Sequence, residues 1–180
     1  MKPFYSAGHA RHKHTDEEGC FMERLLKLLE ENARLPVEDL AAMLDIAPAE
    51  AAAQMDAYAR EGVIRGYRAL VDWEKAGADL VQAVIELRVR PKKSMGFDEI
   101  AAAVAGFEEV QSVLLMSGAY DLQLIVNGHS FQEIALFVAK RLSPLDDVLS
   151  TATHFVLRTY KKDGVVYGGE EPDEREWATQ

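Results

Sequence analysis

Apolar residues recur at helical spacing in the first third of the chain. A first helix is expected to begin at the capping sequence of residues 15–18 and to end near Asn32, with an apolar face formed by Phe21, Leu25, Leu28 and Leu29. Pro36 is placed to open a second helix, whose apolar face is Val37, Leu40, Ala41 and Leu44. Pro48 opens a third helix, and Gly62 ends it because glycine readily adopts the left-handed conformation found at helix C-termini.

A strand-like run follows the third helix. Residues 63–71 are expected to form a strand, and the residues after them a linker over 72–79. Three short helices joined by tight turns fit a helix-turn-helix unit, and the strand that follows them would form its wing. We therefore predict a winged helix-turn-helix domain over residues 16–71.

Alternating apolar and polar residues begin at Leu80 and predict a sheet. Strands are expected at about 80–89, 110–116, 121–126 and 148–160, and two helices beginning near Phe97 and Phe131 separate them into the order β-α-β-β-α-β. This is the ferredoxin-like arrangement, so the predicted fold class is α+β, with a ferredoxin-like domain over residues 80–162. Because both helices would cover one face of the sheet, we expect a second copy of the chain to close the other.

Charge and composition limit the classes of protein that fit. The 180 residues carry a net charge of −10, which is unusual for a nucleic-acid binder. Residues 163–180 hold six acids against Arg175 and form a predicted acidic tail, whereas residues 21–70 hold nine acids and six bases. We expect residues 1–15 to be disordered. Cys20 is the single cysteine and no long apolar run occurs, so a cytoplasmic protein is expected.

Three strings, taken in their order along the chain, resemble the Lrp/AsnC (feast/famine) family of transcriptional regulators. They are GVIRGYRALVD at 62–72, SGAYDL at 117–122 and TATHFV at 151–156, and the resemblance runs from about Phe21 to Lys161. It implies a DNA-binding N-terminal half and a C-terminal half that dimerises and binds a small effector, usually an amino acid. It also implies that dimers assemble further, commonly as four dimers in an octameric ring, with the effector between dimers near residues 118–121.

The third helix would present its side chains to the major groove of double-stranded DNA. Gln54 is a candidate for reading an adenine edge, and the candidates for phosphate contacts are Arg34, Arg60, Arg65 and Arg68. Glu50 and Asp56 would oppose binding to a polyanion. An alternative is therefore a metabolite-sensing oligomer whose helix-turn-helix no longer reads DNA.

The loop between the two central strands is the candidate effector site. Exposed backbone amides near Gly118 would hold a carboxylate, and the charge of Asp121 would receive an ammonium group. The full candidate set is Ser117, Gly118, Ala119, Tyr120, Asp121, Thr151, Thr153 and His154. Two alternatives remain open: a plain hairpin whose aspartate caps the turn, and a structural role for the histidine.

Catalytic and metal chemistry are not expected. We find no nucleophile–base pair, phosphate loop or catalytic carboxylate pair, and we expect no cofactor. His9, His12 and His14 lie in a segment without a rigid scaffold, so a solvated tail is favoured over a metal site. A less favoured alternative is a tetrapyrrole enzyme resembling siroheme decarboxylases, with His129 and His154 as its candidate ligands.

Overall fold

The computed structural model describes residues 16–90 and 96–167, with only the backbone described for residues 16–21. The predicted disordered segment 1–15, its three histidines and residues 168–180 of the predicted acidic tail lie outside this range. The chain separates into two compact units, which divide between Leu70 and Val71. We refer to them as the helical unit and the sheet unit.

The helical unit contains the three expected helices: α1 (Asp16–Glu31), α2 (Val37–Leu44) and α3 (Pro48–Arg60). Their apolar faces meet in a core formed by Leu25, Leu29, Leu40, Leu44 and Tyr58. Burial raises the pKa of the Tyr58 hydroxyl, and the carboxylate of Glu61 raises it further. Arg24 closes the end of α2 by donating to the carbonyl of Met43 at 2.7 Å.

The predicted strand over residues 63–71 is wrong, because the structure has no strand between Gly62 and Leu80. Gly62 ends the third helix with a φ of +72°, as expected. The N–H groups of Val63 and Ile64 then both donate to the carbonyl of Tyr58, at 2.9 and 3.1 Å. A strand needs a neighbouring strand to pair with, and these donors are used on the end of α3 instead.

The sheet unit has the predicted order of elements. These are β1 (Val81–Val89), α4 (Asp98–Ala105), β2 (Val110–Leu115), β3 (Leu122–Gly128), α5 (Phe131–Phe137) and β4 (Val148–Phe155). The helix α5 continues as a π-helical turn, Val138–Leu142. The four strands are antiparallel in the order β2-β3-β1-β4, which is the ferredoxin-like order.

The two faces of this sheet differ because successive strand residues point to opposite sides. The core face packs against α4 and α5 and includes Ala83, Ile85, Leu87, Leu122, Leu124 and Val126. The other side, here called the open face, carries from β1 and β4 the residues Val84, Glu86, Arg88, Ser150, Ala152 and His154. The helices α4 and α5 lie on the core face, so neither of them covers the open face.

The chain after β4 differs from the prediction. The strand ends at Phe155 rather than near Tyr160, and a small hairpin follows, formed by β5 (Lys161–Lys162) and β6 (Val165–Val166). Its turn is Asp163-Gly164, with φ values of +48° and +82°, a pair of residues that favours tight hairpins. Residues 163–166, which we assigned to the acidic tail, therefore belong to this hairpin.

Candidate functional sites

The exposed side chains of α3 are mostly small or acidic. Ala49, Glu50, Ala53 and Asp56 are exposed there, and Gln54 is only half-buried. The guanidinium of Arg60 turns back along the helix and donates to the carbonyl of Asp56 at 3.3 Å. The candidate base-reading helix therefore offers one amide, two carboxylates and small apolar side chains.

The other candidate cations lie outside α3. Arg34 is exposed in the turn between α1 and α2, and Arg65 and Arg68 are exposed in the segment after Gly62. The Arg65 guanidinium lies against Gly62, within 3.6 Å of the position that a Cβ would take. The end of α3 thus carries Arg60 and Arg65 near one turn, whereas Arg34 lies in a different turn of the unit.

The effector loop, residues 117–121, links β2 to β3 at the end of the sheet. Ser117, Gly118 and Ala119 are exposed, and Gly118 has a φ of +148° with open space beside it. Asp121 is bonded through all of its polar groups except one carboxylate oxygen. Its N–H donates to Leu87, its carbonyl accepts from Met116, and its Oδ2 accepts from the N–H of Val89 at 2.8 Å.

Sequence reasoning missed Arg88, which holds this loop from the end of β1. Its Nε and Nη2 both donate to the carbonyl of Ala119, at 3.1 and 2.7 Å. Its guanidinium also lies 5.9 Å from the centre of the Tyr120 ring. No local sequence pattern marks this contact, because it depends on the register between β1 and β3, which ends at the Leu87–Leu122 pair.

The three candidates on β4 do not face a common site. Thr151 and Thr153 pair with Leu87 and Ile85 and therefore point to the core face of the sheet. His154 points to the open face, where its Nε2 lies 3.3 Å from Glu86 Oε2 and its side chain is 62% exposed. Of these three candidates, only Thr151 pairs with a residue of β1, Leu87, that hydrogen-bonds to the effector loop.

An apolar groove of about 700 Å³ runs between α4 and β2. Its lining residues include Phe97, Ala101, Val113 and Leu115, and the single charged side chain among them is that of Asp98. A zwitterionic ligand needs a donor for its carboxylate and an acceptor for its ammonium group. The effector loop together with Arg88 of β1 offers both charges, and the groove does not.

Metal and membrane sites receive no support from the described residues. Within residues 16–90 and 96–167, no three His, Cys, Asp or Glu side chains are arranged to hold a metal ion. No helix in this part of the chain is long and apolar enough to cross a membrane.

The chain thus combines a helical unit that exposes its third helix with an antiparallel sheet that exposes a polar loop. Comparison with family models agrees: residues 22–65 match the winged helix-turn-helix DNA-binding family, and residues 82–166 match the Lrp/AsnC ligand binding domain. The chain is 43% identical over 152 residues to an uncharacterised HTH-type transcriptional regulator, YugG, of Bacillus subtilis, covering 84% of this chain and 92% of that one.

Of two further similar proteins, one is named for an amino acid and the other was crystallised with one. The leucine-responsive regulatory protein of Haemophilus influenzae is 30% identical over 139 residues, which cover 77% of this chain and 83% of the relative. A Neisseria meningitidis transcriptional regulator crystallised with L-Met is 25% identical, with a TM-score of 0.64 over 79% of this chain and 91% of that one. The chain belongs to the Lrp/AsnC family of DNA-binding transcriptional regulators, which confirms the family, fold class and regulatory function predicted from the sequence.

Proposed function

We propose that this protein is an amino-acid-responsive regulator of the cytoplasm that acts by binding its ligands and catalyses no reaction. The observation that carries the proposal is the effector loop, where an exposed glycine and a carboxylate are held at the end of a rigid sheet. The L-Met complex of the Neisseria relative supports an amino acid as the ligand. Of the eight predicted effector residues we retain Ser117–Asp121 and Thr151 for this site.

The active form is a homodimer closed through the open face, with dimers assembling further as an octamer. Val84, Leu114, Ile125 and Ala152 are apolar side chains that this face offers to a second copy, since the helices occupy only the other side. An isologous contact would bring Glu86 and His154 of each copy to the interface. Sedimentation velocity over a range of concentrations tests this assembly, and a monomer at all of them would contradict it.

The helical unit would bind double-stranded DNA with α3 in the major groove. Gln54 is placed to contact a base, and the phosphate contacts are assigned to Arg34, Arg60, Arg65 and Arg68. Glu50 and Asp56 weaken each contact, so binding depends on several helical units acting together. Linked binding units raise the total affinity without new contacts.

Two measurements test this function. Thermal shift with each standard L-amino acid should reveal at least one that stabilises the wild-type protein. Mobility shift on DNA from upstream of the protein's own gene should show a complex that weakens steeply as salt rises, because counterions are released on binding.

The second candidate, a metabolite-sensing oligomer that does not read DNA, is favoured by the acidic surface of α3. It predicts ligand stabilisation without any complex on DNA, even at low salt. A complex at low salt would exclude it.

A further inference from the structure

Three consecutive residues at the end of β1 hold the effector loop. The carbonyl of Leu87 accepts from the N–H of Asp121 at 2.9 Å, and the N–H of Val89 donates to Asp121 Oδ2 at 2.8 Å. Between them, the side chain of Arg88 donates twice to the carbonyl of Ala119. The register of β1 shifts between Arg88 and Val89, at the point where these bonds are made.

The side chains of Arg88 and Asp121 each keep hydrogen-bonding atoms that have no partner among the described residues. A guanidinium has five N–H donors, and Nη1 of Arg88 makes no hydrogen bond to another described residue. Oδ1 of Asp121 is likewise without a hydrogen bond in the part of the chain that the structure describes. No ion pair joins Arg88 to Asp121, so the two charges do not neutralise each other directly.

Both side chains lie at the end of the sheet where β1 meets the effector loop. Arg88 follows Leu87 and Asp121 precedes Leu122, the last pair in the register of β1 and β3. The ring of Tyr120 flanks the guanidinium, and the exposed backbone of Gly118 lies in the same loop. A fixed cation at the end of β1 and a fixed anion in the adjoining loop suit a ligand that carries both charges.

We propose that Arg88 binds the carboxylate of the amino-acid effector through its free Nη1 edge while Asp121 receives the ammonium group through Oδ1. This rests on the proposed function and adds a residue to its site. Arg88 is suited to the role because its fork is already fixed on Ala119, so little side-chain freedom is lost when a carboxylate arrives. The ligand class is an α-amino acid with a free carboxylate rather than an amine or an amide.

The experiment compares ligands and variants together. The amino acid that stabilises the wild-type protein is titrated by calorimetry beside its own carboxamide, in wild-type protein and in the variants Arg88→Met and Arg88→Lys. Wild type should bind the free acid at least about tenfold more tightly than the carboxamide, as expected for a charge-assisted hydrogen bond. Arg88→Met should bind both equally, and Arg88→Lys should fall between, because lysine keeps the charge but lacks the fork.

Equal preference for the free acid in Arg88→Met and wild type would overturn the proposal while leaving the proposed function intact. A change in dimer mass without a change in ligand preference would overturn it too, because Arg88 would then contact a second copy instead. If no amino acid binds wild type, the proposed function itself fails. Hydrogen exchange checks whether the effector loop has opened in Arg88→Met. If it has, the test depends on Arg88→Lys. A preference for the free acid over the carboxamide equal to that of wild type would refute the proposal, and a reduced preference supports it.

Discussion

The two units hold their candidate binding groups in different ways. In the sheet unit, Arg88 and Asp121 are fixed by hydrogen bonds to backbone atoms 31 and 32 residues away. In the helical unit, Arg60 bonds only to its own helix, four residues back. Groups fixed by distant backbone lose little freedom on binding and can discriminate between ligands, whereas exposed cations on local structure supply mainly non-specific attraction to phosphate. The comparison leads us to propose that the sheet unit supplies ligand selectivity and that the helical unit supplies non-specific affinity for DNA.

The largest expected effects come from truncating one core residue in each unit. They test whether the two units lose stability independently of each other. Leu40 and Leu124 are fully buried in different cores. Leu40→Ala and Leu124→Ala should each lower the free energy of unfolding of the unit concerned by about 2–5 kcal/mol. Segment-resolved hydrogen exchange should show lost protection in that unit alone. Equal loss in both units for either variant would break the comparison.

The contact of α5 with β3 gives a somewhat smaller effect. A Cβ on Gly128 would lie 2.9 Å from Cγ1 of the buried Ile134. Gly128→Ala should therefore lower the unfolding free energy by about 1–3 kcal/mol, because the helix must move away from the sheet. Gly106→Ala is the matched control: its Cβ would lie 3.4 Å or more from its neighbours at an ordinary φ of −77°, so denaturant titration should show no loss. Equal destabilisation by both variants would show that the close approach to Ile134 is not the cause.

A test of the fixed loop comes from two variants of one residue. Asp121→Ala removes the acceptor of the Val89 N–H and should cost about 1–3 kcal/mol of stability. Asp121→Asn keeps an acceptor oxygen and removes the charge, so it should retain most of that stability yet lose the ligand's ammonium contact. Urea titration and calorimetry on both variants separate the two roles. Unchanged ligand binding by Asp121→Asn would show that the charge has no part in the site.

The smallest expected effect concerns the acidic face of α3. Glu50→Gln combined with Asp56→Asn should tighten DNA binding, each by less than about 1 kcal/mol, since charges exposed to water interact weakly. Fluorescence anisotropy with a labelled duplex measures the change, with Glu30→Gln combined with Glu31→Gln on α1 as the control of equal charge change. A control that tightens binding as much as the double variant would remove α3 from the interface.

Local periodicity explains why much of the fold could be predicted. Leu25 and Leu29, or Ile85 and Leu87, reveal helix and strand within a few residues. The strand over 63–71 failed because strand formation depends on a partner, which local sequence does not supply. Arg88 was missed for a related reason, since its contact with Ala119 depends on the register between β1 and β3. The alternation of side chains along a strand, however, would have been enough to place Thr151 and Thr153 on one face of the sheet and His154 on the other.

Coupling between the two units is tested most directly by measuring one binding equilibrium in the presence of the other ligand. Amino-acid affinity is measured by calorimetry with and without saturating operator DNA, and DNA affinity with and without saturating amino acid. The account predicts that both affinities change by the same factor, about 5- to 150-fold, because the coupling free energy of linked sites is reciprocal. If the protein binds both ligands but neither affinity changes when the other ligand is present, the account is contradicted.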